Sequence, residues 1–250
     1  MSVSTIPTPV PIHDDECRRR LASLFDALDV CRPALQTAIA TGLAQTWAND
    51  PRDPGWAIVD CGTTYLAGFA NAHHLAAIVD FVGTGKRIVP ADRATRHSLT
   101  ELAKKRRVVA ETRTWFADVA APAPEAADAE RLQPHDWQRF RREIDIDLSW
   151  GFASAEDFFA RGAAYAVSRR GRWVSAAATV AVANTEWEIG VFTAPNWRGR
   201  GLAKRAARSL LVEAAKAGAK SSWDAIDARS AAFARSLGFQ QASPYACFRT

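Results

Sequence analysis

The stretch IGVFTAPNWRGRGLAK, Ile189 to Lys204, decides how this chain of 250 residues is read. With Glu186 to Glu188 before it, it opens as a strand that runs out at Thr193. Pro195 lacks a backbone donor and helps end that strand. Gly199 and Gly201 then stand just ahead of a helix whose apolar stripe is Leu202, Ala206, Leu210 and Ala214, and which Gly218 stops. The first N–H groups of a helix have no intrahelical acceptor, and the helix dipole is positive there. Two glycines remove the side chains that would cover those amides. The segment therefore reads as an anion site, most simply for a pyrophosphate.

Charge points the same way. Between Asn196 and Lys220 stand Arg198, Arg200, Lys204, Arg205, Arg208, Lys216 and Lys220 against Glu213 alone. A solvated basic face on an ordinary helix explains such a run equally well; the glycines at the helix start are what favour the anion site. The spacing excludes two common phosphate binders. The P-loop pattern G-x-x-x-x-G-K-[ST] is absent, and the dinucleotide fingerprint would need Gly or Ala at position 204, which is Lys. What is present is R-x-x-G-x-A over Arg198 to Ala203.

Outward from this segment the grammar of residues 129–250 is regular. Pro134 to Ile144 reads as a helix, and Ser154 caps a short one over Ala155 to Ala160, with Glu156 and Asp157 in its first turn. Ala164 to Ser168 and Trp173 to Ala183 form a hairpin around Arg170-Gly171-Arg172, and Asn184-Thr185 turns into the strand Glu186 to Thr193. After the long helix come a strand, Ser221 to Ala225, a helix capped by Asp227 and ending at Leu237-Gly238, and a last strand, Gln240 to Thr250. The expected class is α/β (α+β): a mixed, mostly antiparallel central sheet flanked by helices, preceded by a smaller α/β region over 1–120. Residues 121–128, inside the run AAPAPEAADA, read as a linker. In the N-terminal region, Asp14 to Val30 reads as an amphipathic helix and Pro33 to Ala40 as a second. Trp56 to Val59 and Thr64 to Phe69 read as strands, Ala76 to Val82 is ambiguous, Thr100 to Arg107 is helical and Val108 to Phe116 extended. No internal repeat is visible in the sequence.

These residues together resemble the GNAT superfamily of N-acetyltransferases. The match lies in EIGVFTAPNWRGRGLA followed by a long helix, in the closing segment WDAIDARSAAFARSLGF, and in the hairpin RWVSAAATVAV ahead of both; it covers residues 129–250. Within the superfamily the chain looks most like a bacterial branch with an extra N-terminal region. The resemblance implies acetyl-CoA as co-substrate, with its pyrophosphate on the N–H groups of Arg198, Gly199, Arg200, Gly201, Leu202 and Ala203. It implies that the strand ending in Val191, Phe192 and Thr193 splays from its neighbour and leaves backbone groups for the acetyl carbonyl and the pantetheine arm. Such amides also suit an oxyanion at the thioester carbon. Asp227 falls where the family usually has Asn against pantetheine, and an ionised Asp accepts but does not donate. Ser230 matches the family's Ser or Ala. The family's Tyr, which protonates the departing thiolate, falls at Ala234, so Ser230 or a water is left as the substitute.

Direct transfer needs a neutral amine, so a base must take its proton. Glu186 and Glu188 alternate with Trp187 and Ile189 and share one strand face; Glu188, nearer the acetyl site, is the first choice. A solvated strand edge or an ion pair is the alternative for both. Glu143 to Trp150 (EIDIDLSW) reads either as a site for a cationic acceptor or as a helix end beside a buried Trp. Trp197 reads as core or as a border of the cofactor groove.

The rest of the sequence mostly excludes. Apolar residues are 48% and charged residues 24%, which rules out wholesale disorder. Lys plus Arg number 32 against 27 Asp plus Glu, a net +5 that allows an anionic ligand without requiring one. Cys17, Cys31, Cys61 and Cys247 are too scattered for a zinc ribbon or redox pair. His73 and His74 are neighbours and point apart, so no metal is expected. No signal-like or membrane-length run occurs, so a cytoplasmic protein is expected. The expected function is transfer of an acetyl group from acetyl-CoA to an amine, on a small molecule or a protein, in a ternary complex. Two alternatives remain: a non-catalytic acyl-CoA sensor or scaffold, and a nucleic-acid-contacting protein using the basic helix, with Lys104-Lys105-Arg106-Arg107 as a further basic run. The N-terminal region is left to shape the acceptor pocket, to mediate dimerisation or to form a degenerate second α/β unit.

Overall fold

The computed structural model describes residues 8–105, 107–120, 122, 129–144 and 146–250. The chain begins with β1 (Val10–Pro11), α1 (Asp15–Leu21), α2 (Arg32–Thr41), β2 (Gln45–Ala48), β3 (Ala57–Asp60) and β4 (Thr63–Ala67). It continues with α3 (Ala72–Val82), β5 (Arg87–Pro90), α4 (Arg93–Lys104) and β6 (Val109–Val119). Next come β7 (Glu130–Arg131), α5 (Trp137–Glu143), α6 (Ala155–Arg161), β8 (Ala164–Arg169), β9 (Arg172–Ala183) and β10 (Glu186–Thr193). The chain ends with α7 (Leu202–Lys216), β11 (Lys220–Ala225), α8 (Ala228–Leu237) and β12 (Phe239–Arg249). The chain divides into two compact units, Met1–Arg113 with Pro244–Thr250, and Thr114–Ser243.

In the second unit the strand order is β6-β11-β10-β9-β8-β7. Every neighbouring pair is antiparallel except β10 and β11, which run parallel because α7 carries the chain across between them. Side chains alternate between the two faces. Trp187, Ile189, Trp223, Ala225 and Phe116 face α7 and α8, where Leu202, Ala206, Leu210, Ala214, Ala234 and Leu237 complete a core. Ala164, Ala166, Ala176, Ala178 and Val180 face the other way, onto Trp137, Phe140, Leu148, Phe152 and Phe158. The run of alanines in β9 is what lets large aromatics from α5 and α6 lie close on that face.

The first unit has the order β1-β2-β3-β4-β5-β12, again antiparallel except for β4 and β5, which α3 connects. Its core gathers Ile58, Leu66, Leu75, Ile78, Ile88, Leu99, Leu102 and Phe248.

Most elements from residue 129 onward match the expectation to within a residue or two. In the first unit several differ, and α4 begins at Arg93, seven residues ahead of the expected helix over Thr100 to Arg107, behind an Asp92 cap. The expected single helix from Asp14 ends at Leu21 and tightens into a 3-10 turn over Ala22–Phe25, closed by the Asp26 amide donating to the Ser23 carbonyl at 3.4 Å. Ala72–Val82 is a helix, fixed by an Asn71 cap. Strands β1, β2 and β5 carry no expectation from the sequence. The proposed linker 121–128 lies, except for Pro122, outside the described residues.

Candidate active site

The defining feature is a strand pair that parts. Glu186, Trp187 and Glu188 of β10 pair with Lys220, Ser221 and Ser222 of β11, and the ladder stops there. β10 runs on to Thr193 with only β9 beside it, while Trp223 to Ala225 of β11 pair with Phe116 to Thr114 of β6. The direction of the exposed backbone groups follows from the register. Val174 accepts from the Ala194 amide at 2.9 Å and Thr193 lies opposite Ser175, so Ala194, Phe192 and Gly190 turn their N–H and C=O toward β9. Ile189, Val191 and Thr193 therefore turn theirs toward the gap left by β11. The β9 side is also tied by Ser175, whose hydroxyl donates to the Phe192 carbonyl at 2.9 Å and lies 2.7 Å from the Thr193 hydroxyl.

A bulge sits at the start of the gap. Glu188 lies opposite Ala181 but Ile189 opposite Thr179, so Val180 is an extra residue in β9. Its carbonyl accepts from the Gly151 amide at 3.2 Å, which holds the segment after the 3-10 turn Ile146–Ser149 against the sheet. Gly190 makes that approach possible. A Cβ there would come within 2.6 Å of Val180 Cγ1 and 2.7 Å of Leu148 Cδ2. Sequence reading did not single out Gly190, Ser175 or the bulge, although a glycine inside a strand pattern is a known sign of close approach.

Beyond Thr193 the chain makes a 3-10 turn, Pro195–Trp197, and reaches α7 through Gly199 (φ 75°) and Gly201 (φ 73°). Both sit in the left-handed region that disfavours side chains, and nothing lies within 4 Å of a Cβ built on either. Gly201 is the N-cap of α7 and supplies no side-chain cap. The Arg205 amide donates to its carbonyl at 3.1 Å, while the amides of Gly199 to Lys204 find no main-chain acceptor among the described residues. The turn itself is braced. Arg198 Nε donates to the Thr193 carbonyl at 3.1 Å, and the Arg200 guanidinium lies 4.9 Å from the centre of the Trp197 ring, which packs against the core beneath α7.

Glu186 and Glu188 do share a face, opposite Trp187 and Ile189 and on the same side as Gly190 and Phe192. Glu188 is the last residue of β10 still laddered to β11, with Ser222 as its partner, so it stands where the strands part. One of its carboxylate oxygens, Oε2, is sealed from solvent. Ser222 is fully buried and shares that face.

The start of α8 closes the constellation. Asp227 is its N-cap, accepting from the Ser230 amide at 2.7 Å. The Ser230 hydroxyl accepts from Trp223 Nε1 at 3.0 Å, which orients the indole in the core. Ala234 is completely buried in that core.

Two other stretches singled out in the sequence make contacts within the protein. Glu143 Oε2 accepts from the Trp173 amide at 3.0 Å and pairs with Arg139, whose guanidinium stacks 4.0 Å over Trp173. Burial opposes ionisation of Glu143 most, but the amide and the arginine together hold its carboxyl below the usual range. It is thus a brace for α5, and Asp145 lies outside the described residues. Lys104 pairs with Glu101 and Arg107 with Asp80, while Arg106 is outside the described residues. Among the described residues no group of His, Cys, Asp and Glu could hold a metal ion, and no helix is long and apolar enough to cross a membrane.

Comparison with known proteins agrees with this geometry. The chain shares its fold with a GCN5-related N-acetyltransferase-like protein of Streptococcus suis, at 24% identity and a TM-score of 0.72, over 94% of this chain and 98% of that one. An acetyltransferase of the GNAT family from Colwellia psychrerythraea superposes with a TM-score of 0.62 at 12% identity, over 97% and 98% of the two chains. A GCN5-related N-acetyltransferase of Sphaerobacter thermophilus gives 0.57 at 12% identity, over 97% and 95%. No curated protein matches the sequence. The sequence model of the GNAT acetyltransferases matches residues 24–248, across both units, and the chain belongs to that family.

Proposed function

We propose that the protein is an N-acetyltransferase that moves the acetyl group of acetyl-CoA to an amine in a ternary complex. The observation that carries this reading is the parting of β10 from β11 beside a helix start capped only by glycine. One gap then offers strand amides to a thioester and helix amides to a diphosphate. The diphosphate rests on the N–H groups from Gly199 to Ala203, favoured by the helix dipole; the Arg198 amide expected to join them is taken by the Pro195 carbonyl at 3.3 Å. The pantetheine arm lies along Val191, Phe192 and Thr193. Asp227 accepts an amide N–H from it, which needs only an acceptor.

In the chemical step Glu188, directly or through a water, takes a proton from the acceptor ammonium. The amine nitrogen attacks the thioester carbon and forms a C–N bond. The carbonyl oxygen becomes an oxyanion, which the gap-facing amide of Val191 stabilises. The C–S bond then breaks, and the second proton of the new amide nitrogen passes, through solvent or relayed by the Ser230 hydroxyl, to the departing thiolate of CoA. Glu186, one pleat back on the same face, keeps the entrance acidic and favours a cationic acceptor.

A second reading has one observation in its favour. Ala234, where the family's general acid falls, is buried and has no hydroxyl, which suits a sensor that holds acyl-CoA without turnover. Calorimetric titration with acetyl-CoA, followed by release of free CoA over a panel of amines, aminoglycosides, amino acids and peptides, separates the two. Binding with acceptor-dependent CoA release is the expected result. Absence of binding by the folded protein would sink both readings.

A further inference from the structure

The sequence shows no repeat, but the strand order does. From its outer edge the second unit runs β7-β8-β9-β10, then β11, then β6; the first runs β1-β2-β3-β4, then β5, then β12. The pairings correspond one for one: three antiparallel, one parallel, one antiparallel. The parallel pair is bridged by one helix in each, α3 and α7, and followed by another, α4 and α8. In each unit the sixth place is taken by the strand that follows the other unit's second helix. β6 comes after α4 in the chain but pairs with β11; β12 comes after α8 but its end pairs with β5.

The caps of the second helices correspond as well. α4 begins Asp92-Arg-Ala-Thr95 and α8 begins Asp227-Ala-Arg-Ser230, and in each the aspartate accepts from the amide three residues on. What differs is the mouth of the first helix. In the first unit β4 and β5 pair from Thr63 to Leu66, and the Ala91 amide then donates to the Leu66 carbonyl at 2.8 Å, so the strands do not part. The Gly68 amide donates to Asp92 Oδ2 at 2.8 Å and the Phe69 amide to the Thr95 hydroxyl at 3.0 Å. At the helix start Asn71 Oδ1 accepts from His73 and His74, at 2.8 and 3.3 Å.

We infer that the chain is two copies of one folding unit with their last strands exchanged, and that the first copy's mouth is plugged by its own main chain and by Asn71. One acyl-CoA site per chain remains. The stoichiometry rests on the function proposed above; the plug does not. In the first copy, Asp92 and Thr95 hold the amides of Gly68 and Phe69 where Asp227 and Ser230 of the second copy border an open gap. The protein's own backbone fills the place that the cofactor's amide-bearing arm takes in the other copy.

Two measurements on the full chain test this. Hydrogen exchange of the ligand-free protein should find the amides of Gly68, Phe69, His73 and His74 at least about 100-fold slower than those of Leu202 to Lys204. Equal rates at the two mouths would overturn the plug, whatever the protein binds. Titration with acetyl-CoA, followed by calorimetry and backbone amide shifts, should saturate at one equivalent, with shifts at 199–204 and none at 68–75. A second equivalent, shifts at 68–75, or an equivalent retained by Gly201→Glu would overturn the single site. No binding at all would remove the cofactor reading and the stoichiometry with it, leaving the exchange rates to decide the plug.

Discussion

The connection from β4 to α3 and the connection from β10 to α7 use one plan to opposite ends. The first satisfies its amides internally: an Asn cap, an aspartate and a threonine from the next helix, and a ladder carried to the strand end. The second leaves them bare, with glycine at the cap and a ladder that stops after three residues. A Gly cap in place of Asn forgoes about a few tenths of a kcal/mol, so the open mouth gives up a little stabilisation that the closed mouth keeps. The lesson is that a binding site can be located by where a fold declines to satisfy its own backbone.

The largest effect that tests this contrast is on binding. Gly201→Glu places a carboxylate where the proposed diphosphate sits and forces a side chain onto φ 73°. Acetyl-CoA affinity should fall by at least about 100-fold, equivalent to roughly 2.7 kcal/mol, with the fold retained by circular dichroism. Asn71→Gly, the reverse change at the closed mouth, should leave affinity as it was. Equal losses in the two variants would break the comparison.

Next in size is a stability effect that separates two uses of glycine. Gly68 has φ 85°, and a Cβ there would lie 2.2 Å from the Gly55 carbonyl oxygen and 2.8 Å from Trp56 Cα. That glycine serves close packing. Gly68→Ala should cost about 3 kcal/mol or more in denaturant unfolding, since backbone must move to admit it. Gly199→Ala meets nothing within 4 Å and carries only the left-handed penalty, about 1 kcal/mol. Similar costs at both sites would mean that the turn before α7 is not open.

A third effect is pH-dependent. Burial opposes ionisation of Asp92 most, but the Thr95 hydroxyl and the amides of Thr95, Gly68 and Ala94 together lower its pKa from 3.8. A depressed folded pKa means stability that is present above the unfolded value and is lost as pH falls through the folded one. Asp92→Asn should therefore destabilise by about 1 kcal/mol at pH 7, and the gap from the parent should narrow below about pH 4. Asp92 accepts at both oxygens, whereas Asp227 accepts from the Ser230 amide at Oδ1. Asp227→Asn should therefore leave stability unchanged, because Asn caps a helix as well as Asp. Thermal unfolding of both variants across pH 3 to pH 7 checks the pair.

What the sequence made legible follows from how local each signal is. The mouth of α7 is written within sixteen consecutive residues, Ile189 to Lys204, and glycine, proline and helix periodicity all agree there. The helices from Pro134 onward carry their caps in sequence, as Ser154 and Asp227 do. The first unit is harder because its helix α3, AHHLAAIVDFV, is apolar on most positions and shows no clean period. β5 is four residues, RIVP, opening on a charged residue and ending in proline. The exchange of β6 and β12 leaves no trace in sequence at all. Pairing partners such as Phe248 and Ile88 lie far apart along the chain, and nothing local distinguishes them from an unexchanged pair. Gly190 had a local signal, a glycine within a strand, but its meaning depends on Val180 and Leu148, which only the bulge and the 3-10 turn bring near.

The smallest expected effect sharpens the contrast between the body of the open turn and its amides. Trp197 donates its amide to the Ala194 carbonyl at 2.8 Å and packs on the core, and Arg200 covers its ring from the exposed side. An exposed cation–π pair is worth about 0.5 kcal/mol, so Arg200→Ala should lower stability by that amount. A double-mutant cycle with Trp197→Leu should recover it as the coupling energy. The same substitution should flatten the salt dependence of acetyl-CoA affinity, because it removes one cation from beside the proposed diphosphate. A coupling near zero with a flattened salt response would mean that Arg200 serves the anion alone. The reverse would make it a brace that holds the glycine turn rigid while its amides stay open.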